Sequence, residues 1–155
     1  MKEGGDFDVT RPSHDEADRI VNEVRAMGGT AEPDYSDASD WNQARGIVEH
    51  CMDVFGSCDI VIHASVVSRL GMIDELTEEE WNLVIRHNLN TNFFVTHFSL
   101  PYMKKNNFGR HIFIASATLR DMWCGADFAA ATGGRYSFMR DLALEVKDYN
   151  ITANC

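Results

Sequence analysis

The stretch Gly109-Arg110-His111-Ile112-Phe113-Ile114-Ala115-Ser116 decides the fold, together with Phe128-Ala129-Ala130-Ala131-Thr132-Gly133-Gly134 and Arg140-Asp141-Leu142-Ala143-Leu144-Glu145, which follow after a loop. Ile112, Phe113 and Ile114 form a short apolar run of the kind that suits a strand buried in a parallel sheet. A long amphipathic segment comes after the loop. A strand that ends in a serine thus feeds a helix, and that alternation points to an α/β fold.

The rest of the chain repeats the pattern on the N-terminal side. Thr77-Glu78-Glu79-Glu80 is a capping box that opens a long helix carrying Trp81, Val84, Ile85, Leu89, Phe94, Val95 and Phe98, and Leu100-Pro101-Tyr102-Met103 is expected to end it. Asn88 falls on or beside the apolar stripe of that helix, where a polar amide must find hydrogen-bond partners. Asp59-Ile60-Val61-Ile62 reads as a buried strand that continues into His63-Ala64-Ser65-Val66. Trp41, Ala44, Ile47, Val48, Cys51 and Phe55 recur at helical spacing up to Gly56. Thr30 to Tyr35 reads as a short strand, confined to an edge by Pro33, which has no N–H to donate. Asp34, Ser36, Asp37, Ser39 and Asp40 then make a polar turn with helix-capping chemistry. Ser13-His14-Asp15-Glu16 is a second capping box, and Ala17, Ile20, Val21 and Val24 form a helical stripe that Gly28-Gly29 stops.

Composition narrows the function classes. A formal charge of −10 with no basic run argues against nucleic acid and anionic membranes as partners. No apolar stretch approaches the roughly 20 residues of a membrane span, and Met1-Lys2-Glu3-Gly4-Gly5-Asp6 has no signal-peptide core, so the expected compartment is the cytoplasm. Cys51, Cys58, Cys124 and Cys155 lack the spacing of a disulfide framework or a metal site, and the six histidines are dispersed; the expectation is reduced structural thiols and no metal. No repeat, low-complexity tract or linker divides the chain, so residues 1–155 read as one domain.

Ser116, the Phe128–Gly134 run and Leu142-Ala143-Leu144-Glu145 together resemble the short-chain dehydrogenase/reductase family. That resemblance implies a dinucleotide-binding, Rossmann-like doubly wound parallel sheet. Gly4-Gly5-Asp6-Phe7 resembles the segment after the second strand in the hydroxyacyl-CoA dehydrogenase branch. The family carries a serine at the strand end, matched by Ser116, and a Tyr-x-x-x-Lys motif whose places are here taken by Phe128 and Thr132. It also carries an asparagine that holds a proton-relay water, matched by Asn88, with a hydrogen-bonded core asparagine as the alternative reading. These four are the catalytic positions that the resemblance implies. It places NAD or NADP beside Asp37 at the adenine and beside His63-Ala64-Ser65 at the nicotinamide, where Val66 stands in place of a glycine; for Asp37 a simple capping role is the alternative. Met122 and Trp123 fall where family members shape the substrate pocket.

Two parts of the family pattern are not matched. The glycines at 4, 5, 28, 29, 46, 56, 71, 109, 125, 133 and 134 build no Gly-x-x-x-Gly-x-Gly phosphate turn, so the expected fold is a partial sheet lacking its first two strands. Removing a positioned acid/base group typically loses on the order of 10²–10⁴-fold in rate, and Phe128 has nothing to titrate. Tyr136 lies roughly 12 Å further along the helix, too far to substitute. The resulting expectation is a catalytically degenerate chain that associates with a related oxidoreductase through the helices starting near Thr77 and Phe128. The alternative is a fragment of an active NAD(P)-dependent enzyme acting on a hydroxyacyl-CoA-like or steroid-like alcohol or ketone.

Overall fold

The computed structural model describes residues 14–68, 70–114 and 123–155. In chain order these form α1 (His14–Ala26), α2 (Trp41–Phe55), β1 (Ile60–His63), α3 (Glu78–Ile85), a π turn (Arg86–Asn90), α4 (Thr91–Asn106), β2 (Gly109–Phe113), α5 (Ala126–Glu145) and β3 (Ile151–Asn154). The three strands make one parallel sheet in the order β1-β2-β3, with Ile62 beside Ile112 and Ile112 beside Asn154. Parallel neighbours need crossovers, and α3–α4 and α5 supply them. This is a partial Rossmann-like α/β fold.

Local chemistry sets the helix ends. The Asp40 carboxylate accepts from the N–H groups of Asn42 and Gln43 to start α2, and Gly56, at φ +76°, closes it with an N–H bond to the Met52 carbonyl. The Thr77 capping box forms as the sequence predicts, each of Thr77 and Glu80 bonding the other's backbone N–H. Ser13 of the other expected capping box lies outside the described residues.

Four expectations are corrected. Residues 30–35 form no strand. Pro33 cannot donate, no strand lies beside the segment among the described residues, and side chains of α1 hold it instead: Arg25 donates to the Ala31 carbonyl, and Tyr35 bonds Asp18. The α1 stripe is only partly buried, with Val21 covered and Ile20 53% exposed. Pro101 does not end its helix but sits inside α4, which runs on to Asn106 and closes at Asn107 with φ +50°. Interior proline costs about 3 kcal/mol. The helix that continues past Pro101 to Asn106 carries Met103 into a fully buried position, and that burial offsets the loss.

The fourth correction concerns the sheet. Strands in a parallel sheet are expected to be buried on both faces. Here His63, His111, Phe113, Ile151 and Ala153 pack inward with Met103, Met139, Leu142 and Val146, while Ile60, Ile62, Ile112 and Ile114 are 38–60% exposed. The described helices that contact the strands, α4 and α5, do not cover that row of isoleucines. Among the described residues no strand pairs with the outer edge of β1, and a groove of about 320 Å³ runs along it, floored by Val48 and Cys51 of α2 and Thr91 and Val95 of α4.

One position in the core is filled by backbone. A Cβ built on Gly109 would stand 2.8 and 2.9 Å from Cγ and Cβ of the fully buried Met103. Gly109→Ala is therefore expected to lower stability by about 1–3 kcal/mol through overpacking, read as a lower urea midpoint with an unchanged slope.

Candidate functional site

In open α/β sheets ligands bind outside the carboxyl ends of the strands. At that end of this sheet, Ser65 lies two residues beyond β1, Ile114 one residue beyond β2, and Asn88 within the π turn. One side chain draws all three together. Arg135, on α5 and only 4% exposed, donates from Nη1 to the Ile114 carbonyl at 2.7 Å and from Nη2 to the Ser65 carbonyl at 3.2 Å. Its Nε and Nη2 reach the Asn88 carbonyl at 3.2 and 2.7 Å. Burial lowers the pKa of this guanidinium, with a smaller opposing effect from the charge at Cys155; the group is nonetheless always protonated in proteins. Among the described residues no carboxylate pairs with it, so backbone carbonyls alone solvate a buried cation.

Asn88 is 1% exposed, and both ends of its amide are hydrogen-bonded. Oδ1 accepts from the Val67 N–H at 2.7 Å and Nδ2 donates to the Val67 carbonyl at 2.6 Å, while its own carbonyl takes the Asn92 amide at 2.6 Å. The π turn adds a residue to the helical register, and such turns cluster at functional sites. It aims Asn88 at the segment after β1.

Phe128 begins the buried face of α5, which continues through Ala131, Thr132, Arg135, Met139 and Leu142. Its ring belongs to an apolar cluster with Val67, Val84, Cys124 and Ala131. Thr132 is 4% exposed and on the same stripe as Arg135. Asp127, also buried, accepts the Phe128 N–H on one carboxylate oxygen at 2.7 Å and has no partner for the other among the described residues. It lies in the first turn of α5, where a negative charge is favoured. Ser116 and Met122 lie outside the described residues; Trp123 is largely exposed.

The positions that resemblance assigns to a dinucleotide are placed as follows. Asp37 accepts from the Ser39 N–H at 2.8 Å and from Arg86 Nη2 at 2.9 Å. Partial burial opposes its ionisation, but the bonds from Ser39 and Arg86 outweigh that and hold the carboxyl below its usual value. Ala64 and Ser65 are exposed at the end of β1. The His63 imidazole turns inward, 3.2 Å from Nδ1 of His111 and stacked on Phe113. A dinucleotide also needs a phosphate cradle of glycine-turn N–H groups, and the 155 residues contain no such turn. With Asp37 committed to Arg86 and His63 to the interior, the residues present do not fit a whole dinucleotide.

Sequence reasoning passed over Arg135 and His111. Arg135 falls at heptad spacing from Phe128, so the periodicity already marked it as an inward-facing cation. His111 pairs with His63 only because parallel strands bring residues 48 apart in sequence side by side.

Comparisons with known proteins agree with this architecture. The family model for short chain dehydrogenase matches residues 1–155. Peroxisomal multifunctional enzyme type 2 of Mus musculus is 30% identical over 97% of this chain, which spans 20% of that protein. A short-chain type dehydrogenase/reductase of Mycobacterium tuberculosis is 28% identical over 97% of this chain and is covered over 53% of its own length. A crystal structure of a short-chain dehydrogenase/reductase from Burkholderia xenovorans superposes with a TM-score of 0.87 at 26% identity, over 92% of this chain and 57% of the other. The chain thus spans about a fifth of one relative and just over half of the others. The matched model, the three parallel strands and the placement of Asn88 and Phe128 beside the strand ends lead to one conclusion: this chain belongs to the short-chain dehydrogenase family.

Proposed function

We propose that this chain is a non-catalytic member of its oxidoreductase family that acts by associating with a catalytically complete relative. The observation that carries the reading is the Phe128 ring, sealed in an apolar cluster at the position where the family places its acid/base. Thr132 supplies no cation, and the Asn88 amide spends a donor and an acceptor on Val67. NAD or NADP is the family's dinucleotide, and in this reading the associated relative binds it. Exposed apolar groups support the second half of the reading. Trp81, Phe93 and Tyr136 lie open on α3, α4 and α5, and the isoleucine row and the β1 edge are uncovered.

Light scattering after mixing the chain with a complete family member from the same source is expected to show a heteromer. The same chain alone is expected to oxidise no NADH or NADPH with hydroxyacyl-CoA or ketosteroid substrates. A chain that stays monomeric beside every such relative, or that turns over substrate unaided, would overturn the proposal.

A second reading, a piece of an active oxidoreductase acting on a hydroxyacyl-CoA-like or steroid-like alcohol or ketone, is favoured by the short span of the relatives that this chain matches. The intact mass of the polypeptide in its source separates the two. A mass of 17.5 kDa favours the associating chain; a mass well above it favours the longer enzyme.

A further inference from the structure

The buried guanidinium of Arg135 has a feature that its hydrogen bonds alone do not explain. The side chain ties together backbone from three separate segments, and it starts three residues beyond Thr132 on the same buried face of α5. Helical side chains lean toward the N-terminus of their helix and cover the turn that precedes their own Cα. Arg135 therefore lies back over the turn that begins at Thr132. Thr132 is one of the small residues in an otherwise bulky buried stripe, with Phe128 before it and Met139 and Leu142 after it. Residues three apart on one helix face are neighbours, so a long side chain at 132 competes with Arg135 for room on the same buried stripe. A second cation there would be enclosed with the first, and no carboxylate among the described residues forms an ion pair with Arg135.

We propose that Arg135 is the positioning cation of this crevice, that it fixes the strand-end carbonyls of Ser65 and Ile114 against Asn88, and that positions 132 and 135 are mutually exclusive seats for a single positive charge. On this view Thr132 is small because Arg135 is present. The two residues form one unit, and changing the first without the second fails. The inference stands on the geometry of α5 and holds whether or not the chain is catalytic.

A double-mutant cycle on the full 155-residue chain tests it, with thermal midpoints followed by circular dichroism for the wild type, Thr132→Lys, Arg135→Met and Thr132→Lys/Arg135→Met. Thr132→Lys alone is expected to lower the midpoint by about 8 °C, because it encloses two cations. Arg135→Met alone is expected to lower it as well, by leaving three carbonyls without a donor. The double variant is expected to melt about 6 °C or more above Arg135→Met, since the relocated ammonium regains those carbonyls. If Arg135→Met does not fold, recovery of a cooperative melt in the double variant is the expected result. A Thr132→Lys midpoint within about 2 °C of wild type would overturn the proposal, as would a double variant no more stable than Arg135→Met. A purely space-filling role for Arg135 predicts no gain on adding lysine at 132, so the relocation arm separates a positioned charge from simple packing.

Discussion

Between pH 6.5 and about 4 the protein is expected to lose on the order of 5 kcal/mol of stability, most of it through two histidines. His63 and His111 stack within the core beside Phe113. Burial, reinforced by His111 and Arg135, pushes His63 down to about 3, and burial pushes His111 down to about 4. In the unfolded chain both titrate near 6.5. As the pH falls below that value the unfolded state takes up protons that the folded state refuses, so stability present above pH 6.5 drains away until the folded pKa values are reached. The slope approaches about 1.4 kcal/mol per pH unit for each histidine. His111 is the better residue to change, because its Nε2 is buried without a partner among the described residues. His111→Phe is expected to halve the pH slope of the urea midpoint between pH 5 and 6.5. An unchanged slope would assign the acid sensitivity to other groups. The carboxylates of Asp34 and Asp37, held below their usual value, weaken the fold only at lower pH, outside that window.

Asn88→Ala is expected to cost about 3–4 kcal/mol, since it strands both the N–H and the carbonyl of Val67 inside the protein at roughly 1–3 kcal/mol each. Asn88→Asp keeps the acceptor for the Val67 N–H but faces the Val67 carbonyl with an oxygen, and is expected to be at least as damaging. Chemical denaturation measures both. A loss below about 1 kcal/mol for the alanine variant would mean that the segment after β1 relaxes to find water and that Asn88 does not organise it.

Much of the fold was legible in residues with strong local chemistry. The Thr77 box, Asp40 and Gly56 mark helix ends by hydrogen bonds that depend on few neighbours. Phe128 and Thr132, which stand where the resemblance sets tyrosine and lysine, both lie on the buried face of α5. The errors arose where tertiary burial overrides local preference. Pro101 is carried inside α4 by the packing of Met103, and the π turn interrupts a helical pattern that apolar spacing alone reads as continuous. Strand apolarity was read correctly as β structure but wrongly as burial, since periodicity says nothing about which faces find a cover. Arg140 and Asp141, in the Arg140–Glu145 stretch of α5, are both exposed. The charge that matters to the site sits five residues earlier, in the apolar stripe.

The uncovered isoleucine row and open β1 edge also determine how the molecule behaves in bulk solution. Each particle carries one adhesive side on a body with ten excess negative charges, so at low ionic strength mutual repulsion holds neighbours apart before their edges can meet. Raising the salt from about 0.01 M to 1 M shrinks the reach of that repulsion from roughly 30 Å to 3 Å. The protein is thus a colloid whose shelf life is set by the electrolyte around it, and desalting rather than cooling is the way to keep it dispersed.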